Sequence, residues 1–401
     1  MTSLAYGALW IFIFAVPWEN IIVIPGIGTI SRLMGMVAVG FALLVALMSG
    51  RVRRPQPFHV AAVLFVICAG FGVFRAADEA RAIGKFGTYL QLLVALWMVW
   101  ELAPTFRKQQ GLFLAYVLGA YVAAIGTIMN YRAAMGTSAR RFTAQGFDPN
   151  DLGMTLALAI PMAWYLGMTY RHPLLRWLCR GYLPLGLIGI GLTGSRGALV
   201  ACVVALLIVP ISMTQLSPGR MAAGVLLIFA SGAAAVSYIP ASSWERYGAT
   251  RAEATAGVGN LNSRLVVWKM GVRAFAKKPV FGYGTSGFNW AVRSQSHNSY
   301  LSVLVEQGLV GFILYAMMFI MVFVRVMRMP TMERRFGLVQ IATLGVAMLP
   351  LVWDDRKAAW VVLALLTALA AALPARTAAA PQVPQRLPRR PMPIARHRAA
   401  S

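Results

Sequence analysis

Charge is the scarcest feature of this chain. Only 12% of its 401 residues are Asp, Glu, Lys or Arg, against about 25% in an ordinary soluble domain. That is too little to cover a soluble surface of this length. Acid is scarcer still: 12 Asp and Glu stand against 37 Lys and Arg, a formal net charge of +25. The three cysteines, Cys68, Cys179 and Cys202, lie in or beside apolar runs, so no disulfide framework is expected. No His/Cys/Asp cluster has ligand spacing, and no G-x-x-x-x-G-K-[ST] loop occurs, so neither a metal centre, a nucleotide site nor any other cofactor is expected. The alternating apolar–polar segments of a membrane β-barrel are missing too. With no soluble domain to hold a basic face, nucleic acid is not an expected partner.

Apolar length is abundant. Hydrophobic residues make up 59% of the chain, the mean hydropathy is +0.67, and the apolar runs are about 20 residues long. These features predict an all-α, polytopic membrane protein with about 12 transmembrane helices. The spans are expected near 4–20, 29–49, 58–75, 86–103, 111–130, 152–170, 181–193, 197–213, 220–239, 298–324, 336–352 and 357–373. The N-terminal run has no basic n-region and no A-x-A site, so it reads as a retained span rather than a signal peptide. Residues 1–373 read as one membrane domain, and 374–401 as a disordered, basic cytoplasmic tail.

The breaks at 51–57, 106–110, 170–180, 217–220 and 325–335 are basic and nearly free of acid, which marks them as cytoplasmic. The opposite side carries a long stretch at about 240–297, yet holds nearly as many basic residues. An anionic ligand at that outer face would account for them, as would attraction to lipid headgroups.

Thr193-Gly194-Ser195-Arg196-Gly197 interrupts an apolar run too long for one span. An arginine at mid-membrane is costly. A turn at the glycines, with a new helix beginning near Ser195, would set Arg196 at a helix N-terminus suited to phosphate. The alternative is an arginine snorkelling to headgroups. Asn262-Ser263-Arg264 is expected to open another helix, with Asn262 or Ser263 as N-cap, placing Arg264 on its apolar face near Trp268. There it would meet an anion, or pack on Trp268 as a cation–π pair. Lys269, Arg273 and Lys277 share a different, solvated face.

Of the four histidines only His297 falls on the outer side, where a span begins at His297-Asn298-Ser299. An imidazole there suits general-base work, or is simply structural. Below it on the same helix face, Gly308 and Gly311 would let a neighbouring helix approach. Glu306 points the other way and is almost the only acid within a span. Asp148-Pro149-Asn150-Asp151 reads as a helix start, Asp354-Asp355-Arg356-Lys357 as a short outer turn, and the glycine-rich 281–288 as a tight connection.

The order RF…DPND, TGSRG, NSRLVVW…KKPVFGYGTSGF and HNSYLSVLVEQGLVG resembles the O-antigen ligase and O-antigen polymerase superfamily. The resemblance runs over roughly residues 140–315. It implies a multispanning, GT-C-like, inverting glycosyltransferase of the bacterial inner membrane, working at the periplasmic face without metal or nucleotide. Its donor would be a glycan on undecaprenyl diphosphate. Its acceptor would be the lipid A–core oligosaccharide for a ligase, or another lipid-linked repeat unit of O-antigen or exopolysaccharide for a polymerase. The family's arginines fall on Arg196 and Arg264 as donor ligands and its histidine on His297 as the catalytic base, with Arg141, Ser195, Asn298 and Gly308 in support. A lipid-linked oligosaccharide transporter is the rival class; it would be expected to show internal repeats and intramembrane ion pairs, neither of which is visible in the sequence.

Overall fold

The computed structural model describes residues 1–134, 141–214, 217–256 and 259–378. These form a helical bundle. After α1 (Thr2–Ala15) comes a two-stranded antiparallel ribbon, β1 (Val23–Ile24) and β2 (Gly28–Thr29). Then follow α2 (Ile30–Ser49), α3 (Pro57–Val73), α4 (Glu79–Leu102), α5 (Phe106–Ala133), α6 (Pro149–Thr169) and α7 (Pro173–Thr193). The chain continues through α8 (Arg196–Leu206), α9 (Ile208–Met213), α10 (Pro218–Tyr238), α11 (Ala241–Ala256), α12 (Gly259–Lys277) and α13 (Phe288–Val292). It closes with α14 (Ser299–Met327), α15 (Thr331–Ala347) and α16 (Lys357–Ala378).

Among the described residues six helices are long and apolar enough to cross a membrane: α2, α4, α5, α6, most of α10, and α14. Four shorter apolar segments join them: Thr2–Trp18, Pro57–Val73, Arg196–Ser212 and Lys357–Leu373. The expected spans at 181–193 and 336–352 fall in α7 and α15, which are helical but outside that apolar class. The chain is an all-α, multi-pass membrane protein. The stretch at 240–297 is not an open loop but carries α11, α12 and α13. At the other end, α16 runs to Ala378, past the expected start of the tail at Pro374, and the rest of the tail lies outside the described residues.

Burial explains the arrangement. Every residue of α6 from Leu152 to Gly167 is buried, as a helix apolar all round must be. It packs on α5, α7, α8 and α15. Small residues allow the closest approaches: a Cβ on Gly153 would press on Ala198 and Thr193. Apolar side chains left exposed, such as Leu43 and Leu47 on α2, Val203 on α8 and Ile320 on α14, lie on the periphery where lipid would cover them. The helices begin at local caps. Asp148 accepts from Asn150 N with Pro149 at N1, Ser195 accepts from Ala198 N, and Asn298 accepts from Leu301 N.

Two features depart from the sequence reading. The first is in α14, where Gly308 (φ 66°, ψ −164°) breaks the helix. The close approach expected at this glycine is made not by a helix but by the loop backbone at 279–284. Leu309 N donates to Pro279 O (2.8 Å) and Val310 N to Val280 O (3.2 Å), while Tyr283 N and Gly284 N donate to Val305 O (3.0 Å) and Glu306 O (2.8 Å). Backbone groups freed by the break are thereby re-paired, as the membrane interior requires. A Cβ at Gly308 would collide with the Val280 carbonyl at a φ that L residues rarely adopt.

The second is an ion cluster. Lys85 Nζ lies 2.8 Å from Glu306 Oε2 and 2.9 Å from Asp354 Oδ2, and Tyr89 Oη donates to Asp354 Oδ2 at 2.5 Å. Residues 354–355 form a turn, as expected, but Asp354 is fully buried within it. Lys85 falls inside α4 because that helix starts at Glu79, earlier than the span expected from residue 86. Buried pairs contribute little over an apolar replacement, but breaking one strands a charge. Lys85→Ala is therefore expected to lower stability by about 3–5 kcal/mol. Glu306→Gln should lose less, since Lys85 keeps Asp354. Thermal unfolding in detergent checks this, and equal midpoints for Lys85→Ala and the wild type would refute the pairing.

Candidate active site

The turn between α7 and α8 anchors the site. Gly194 ends α7 in the left-handed region (φ 57°), and Ser195 caps α8, whose first residue is Arg196. The incoming segment before α6 is zipped to this turn: Phe142 N donates to Leu192 O (3.0 Å) and Arg141 Nε to Thr193 O (2.9 Å). Asn150 Oδ1 accepts from both Arg141 Nη2 and Ser195 Oγ, each at 2.9 Å. From the other side α11 docks, with Arg246 Nε donating to Gly194 O (3.1 Å) and Tyr247 Oη to Gly191 O (3.2 Å). Gly197 lets Pro350 and Met154 close in on α8, where a Cβ would sit 2.8 Å and 2.9 Å from them.

The second wall is α12. It begins at Gly259, so Asn262 and Ser263 are inside the helix rather than capping it, and the expected helix-terminus contribution at Arg264 does not arise. Arg264 instead reaches the site from the flank of α12 and is half-buried, while Lys269, Arg273 and Lys277 are exposed as expected. Trp268, one turn on, does not stack with Arg264 among the described residues. It donates from Nε1 to Ser296 O at 2.9 Å, tying α12 to the segment that carries His297.

His297 is held in the left-handed region at φ 45°, a conformation that costs a non-glycine residue about 1–2 kcal/mol. Its neighbours impose it. Ser296 Oγ donates to Asn298 O (3.1 Å) and accepts from Asn298 N (3.3 Å), and Asn298 caps α14. Ser299 then clamps the facing loop, donating from N to Met348 O (3.0 Å) and from Oγ to Leu351 O (2.7 Å). That loop supplies Leu349 and Pro350.

These walls enclose a pocket of about 400 Å³ whose lining includes Arg141, Asn150, Arg196, Arg246, Arg264, Trp268, His297, Leu349 and Pro350. Among the described residues four guanidinium side chains line it and no carboxylate does. The charges act on one another. Burial, then Arg196, lowers the Arg264 pKa, and burial, then Arg246, lowers that of Arg141. His297 is pushed below its ordinary value by burial and then by Arg264, with Asp148 opposing. The imidazole is thus held neutral to lower pH than a free histidine.

Arg141, Arg196, Arg264 and His297 come together in the pocket. Ser195 and Asn298 stand behind them as helix caps, and Gly308 lies outside the lining. Arg246, Asn150 and Pro350 were not singled out from the sequence. Arg246 looks like any other cation of the 240–297 stretch, and Asn150 was visible only as part of a helix start.

Fold and pocket together define a multi-pass membrane protein with an arginine-lined pocket and a histidine at its side. Residues 182–316 match the protein family described as O-Antigen ligase. That stretch holds Arg196, Arg246, Arg264 and His297, and over it the chain is similar to the O-antigen ligase family. A comparison with curated proteins gives no match.

Proposed function

We propose that the chain is a glycosyltransferase that moves a glycan from undecaprenyl diphosphate to an acceptor sugar at the periplasmic face of the bacterial inner membrane. The observation that carries this reading is the convergence of four arginines and His297 on one pocket, with no carboxylate lining it among the described residues. Arg196 and Arg264 hold the donor diphosphate, with Arg141 and Arg246 adding field from the turn they are bonded to. His297 takes the proton from the acceptor hydroxyl as that oxygen bonds to the anomeric carbon. The bond from that carbon to the phosphate oxygen breaks, and undecaprenyl diphosphate leaves with the electron pair. The guanidinium groups stabilise the charge as it develops. Attack opposite the leaving group inverts the centre, and no metal is needed to carry the charge in this scheme.

The acceptor is the lipid A–core oligosaccharide in the ligase form of the reading, and a second lipid-linked repeat unit in the polymerase form. Transport of a lipid-linked glycan gains one supporting observation, the ion cluster of Lys85, Glu306 and Asp354. Purified protein incubated with an undecaprenyl-diphosphate glycan and lipid A–core, with chelator and without ATP, is expected to form the linked product. Movement of the donor across a proteoliposome membrane without any new glycosidic bond would favour the transporter instead.

A further inference from the structure

A second cleft, away from the arginine pocket, has no role in the scheme above. It is open, about 930 Å³, and lined chiefly by Arg81, Lys277, Tyr283, Trp290, Arg293 and Gln295. Tyr283 belongs to the glycine-rich 281–287 segment, which is pinned to both α3 and α14. Thr285 Oγ1 donates to Ala69 O of α3 (2.6 Å), Tyr283 N to Val305 O (3.0 Å), and Ser286 N to Glu306 Oε2 (3.0 Å). The short α13 is amphipathic: Phe288 and Val292 are buried, and Asn289, Trp290 and Arg293 are turned outward. Trp290 is 60% exposed. Its ring centroid lies 6.0 Å from that of Tyr283, at an interplanar angle of 47°.

We infer that this cleft is a binding subsite for an anionic oligosaccharide, built from the Trp290 and Tyr283 rings, the Gln295 and Asn289 amides, and the Lys277 and Arg293 cations. The inference rests on the transferase reading only for which glycan is bound. A pyranose has an apolar C–H face that an aromatic ring can cover, and hydroxyls that amides can bond. Among the described residues three cations line the cleft and no carboxylate does, which favours sugars carrying phosphoryl or carboxylate groups. Arg81 is already paired with Asp78 at 3.1 Å, so Lys277 and Arg293 provide the free positive charge. The pinned 281–287 segment fixes Tyr283 in advance, which reduces the cost of binding. Position gives it a use: Gln295 in the cleft and His297 in the arginine pocket are two residues apart, at most about 7 Å along the chain. A glycan resting on Trp290 is thereby led towards the imidazole.

The test uses the purified full chain in detergent and a fluorescently end-labelled hexasaccharide bearing phosphate monoesters, read by anisotropy without turnover. The wild type and His297→Ala should bind it alike, and the same hexasaccharide without phosphate more weakly. Trp290→Ala should bind about tenfold more weakly; its exposed side chain makes loss of folding no explanation. In transfer assays the same variant should raise KM for whichever substrate occupies the cleft, the acceptor or the donor glycan. Unchanged hexasaccharide binding in Trp290→Ala, with altered partition onto phosphatidylglycerol vesicles, would make Trp290 a membrane-interface anchor and overturn the subsite. Transfer activity by a wild type that does not bind the probe would also overturn it. Probe binding without transfer would leave the subsite standing and count against the transferase reading.

Discussion

His297→Asn is expected to lower the single-turnover rate of glycan transfer by roughly 10²–10⁴-fold while leaving donor affinity nearly unchanged. Asparagine tolerates the left-handed backbone that His297 occupies (φ 45°), so the variant should fold, which alanine would test less cleanly. The pH profile separates a base from a phosphate ligand. A base works when neutral, so the wild-type rate should fall as pH drops through the folded pKa. Burial and Arg264 set that pKa below the ordinary histidine value of about 6.5. The rate should therefore hold level from neutral pH down past that value before it declines. A phosphate ligand would act protonated and give a rate that rises with acid. His297→Arg keeps a positive charge and should not restore turnover. A rescue by arginine, or an acid-stimulated rate, would put His297 with the phosphate-binding groups.

Arg264→Ala is expected to cost roughly 2–4 kcal/mol of transition-state stabilisation, about 30- to 1000-fold in rate. Arg273→Ala and Lys277→Ala, on the exposed face of the same helix, should change catalytic turnover little. Arg264→Lys should recover only part, since an ammonium cannot fork two oxygens. Rate constants for the four variants under saturating donor and acceptor, where any weaker glycan binding at Lys277 no longer counts, decide the matter. Equal losses at 264, 273 and 277 would mean a diffuse basic surface rather than a site.

Which parts of this could be read from the sequence follows the range of the interactions. The turn at Gly194 and the cap at Ser195 are local devices, so TGSRG announced them and set Arg196 at a helix start. Helical periodicity likewise separated Arg264 from Lys269, Arg273 and Lys277. The start of α12 was misplaced because Asn and Ser at 262–263 look like caps, yet the helix already runs from Gly259. Contacts between distant segments left no local trace. Lys85 meets Glu306 across 221 residues, and Tyr89 meets Asp354 across 265. Gly308 was legible as a point of close approach but not as a helix break, because its partner is a loop backbone and not a second glycine-bearing helix. Arg246 gains its distinction only from the Gly194 carbonyl it bonds.

The central claim is that the arginine pocket holds a lipid-linked diphosphate while His297 performs the proton transfer. The most direct test is a pair of measurements on the same preparations: equilibrium binding of an undecaprenyl-diphosphate glycan, and its single-turnover transfer to acceptor. Arg264→Ala should weaken donor binding and slow transfer, whereas His297→Asn should bind donor as the wild type does and fail to transfer it. Donor binding that survives in Arg264→Ala and is lost in His297→Asn would contradict the assignment of both residues.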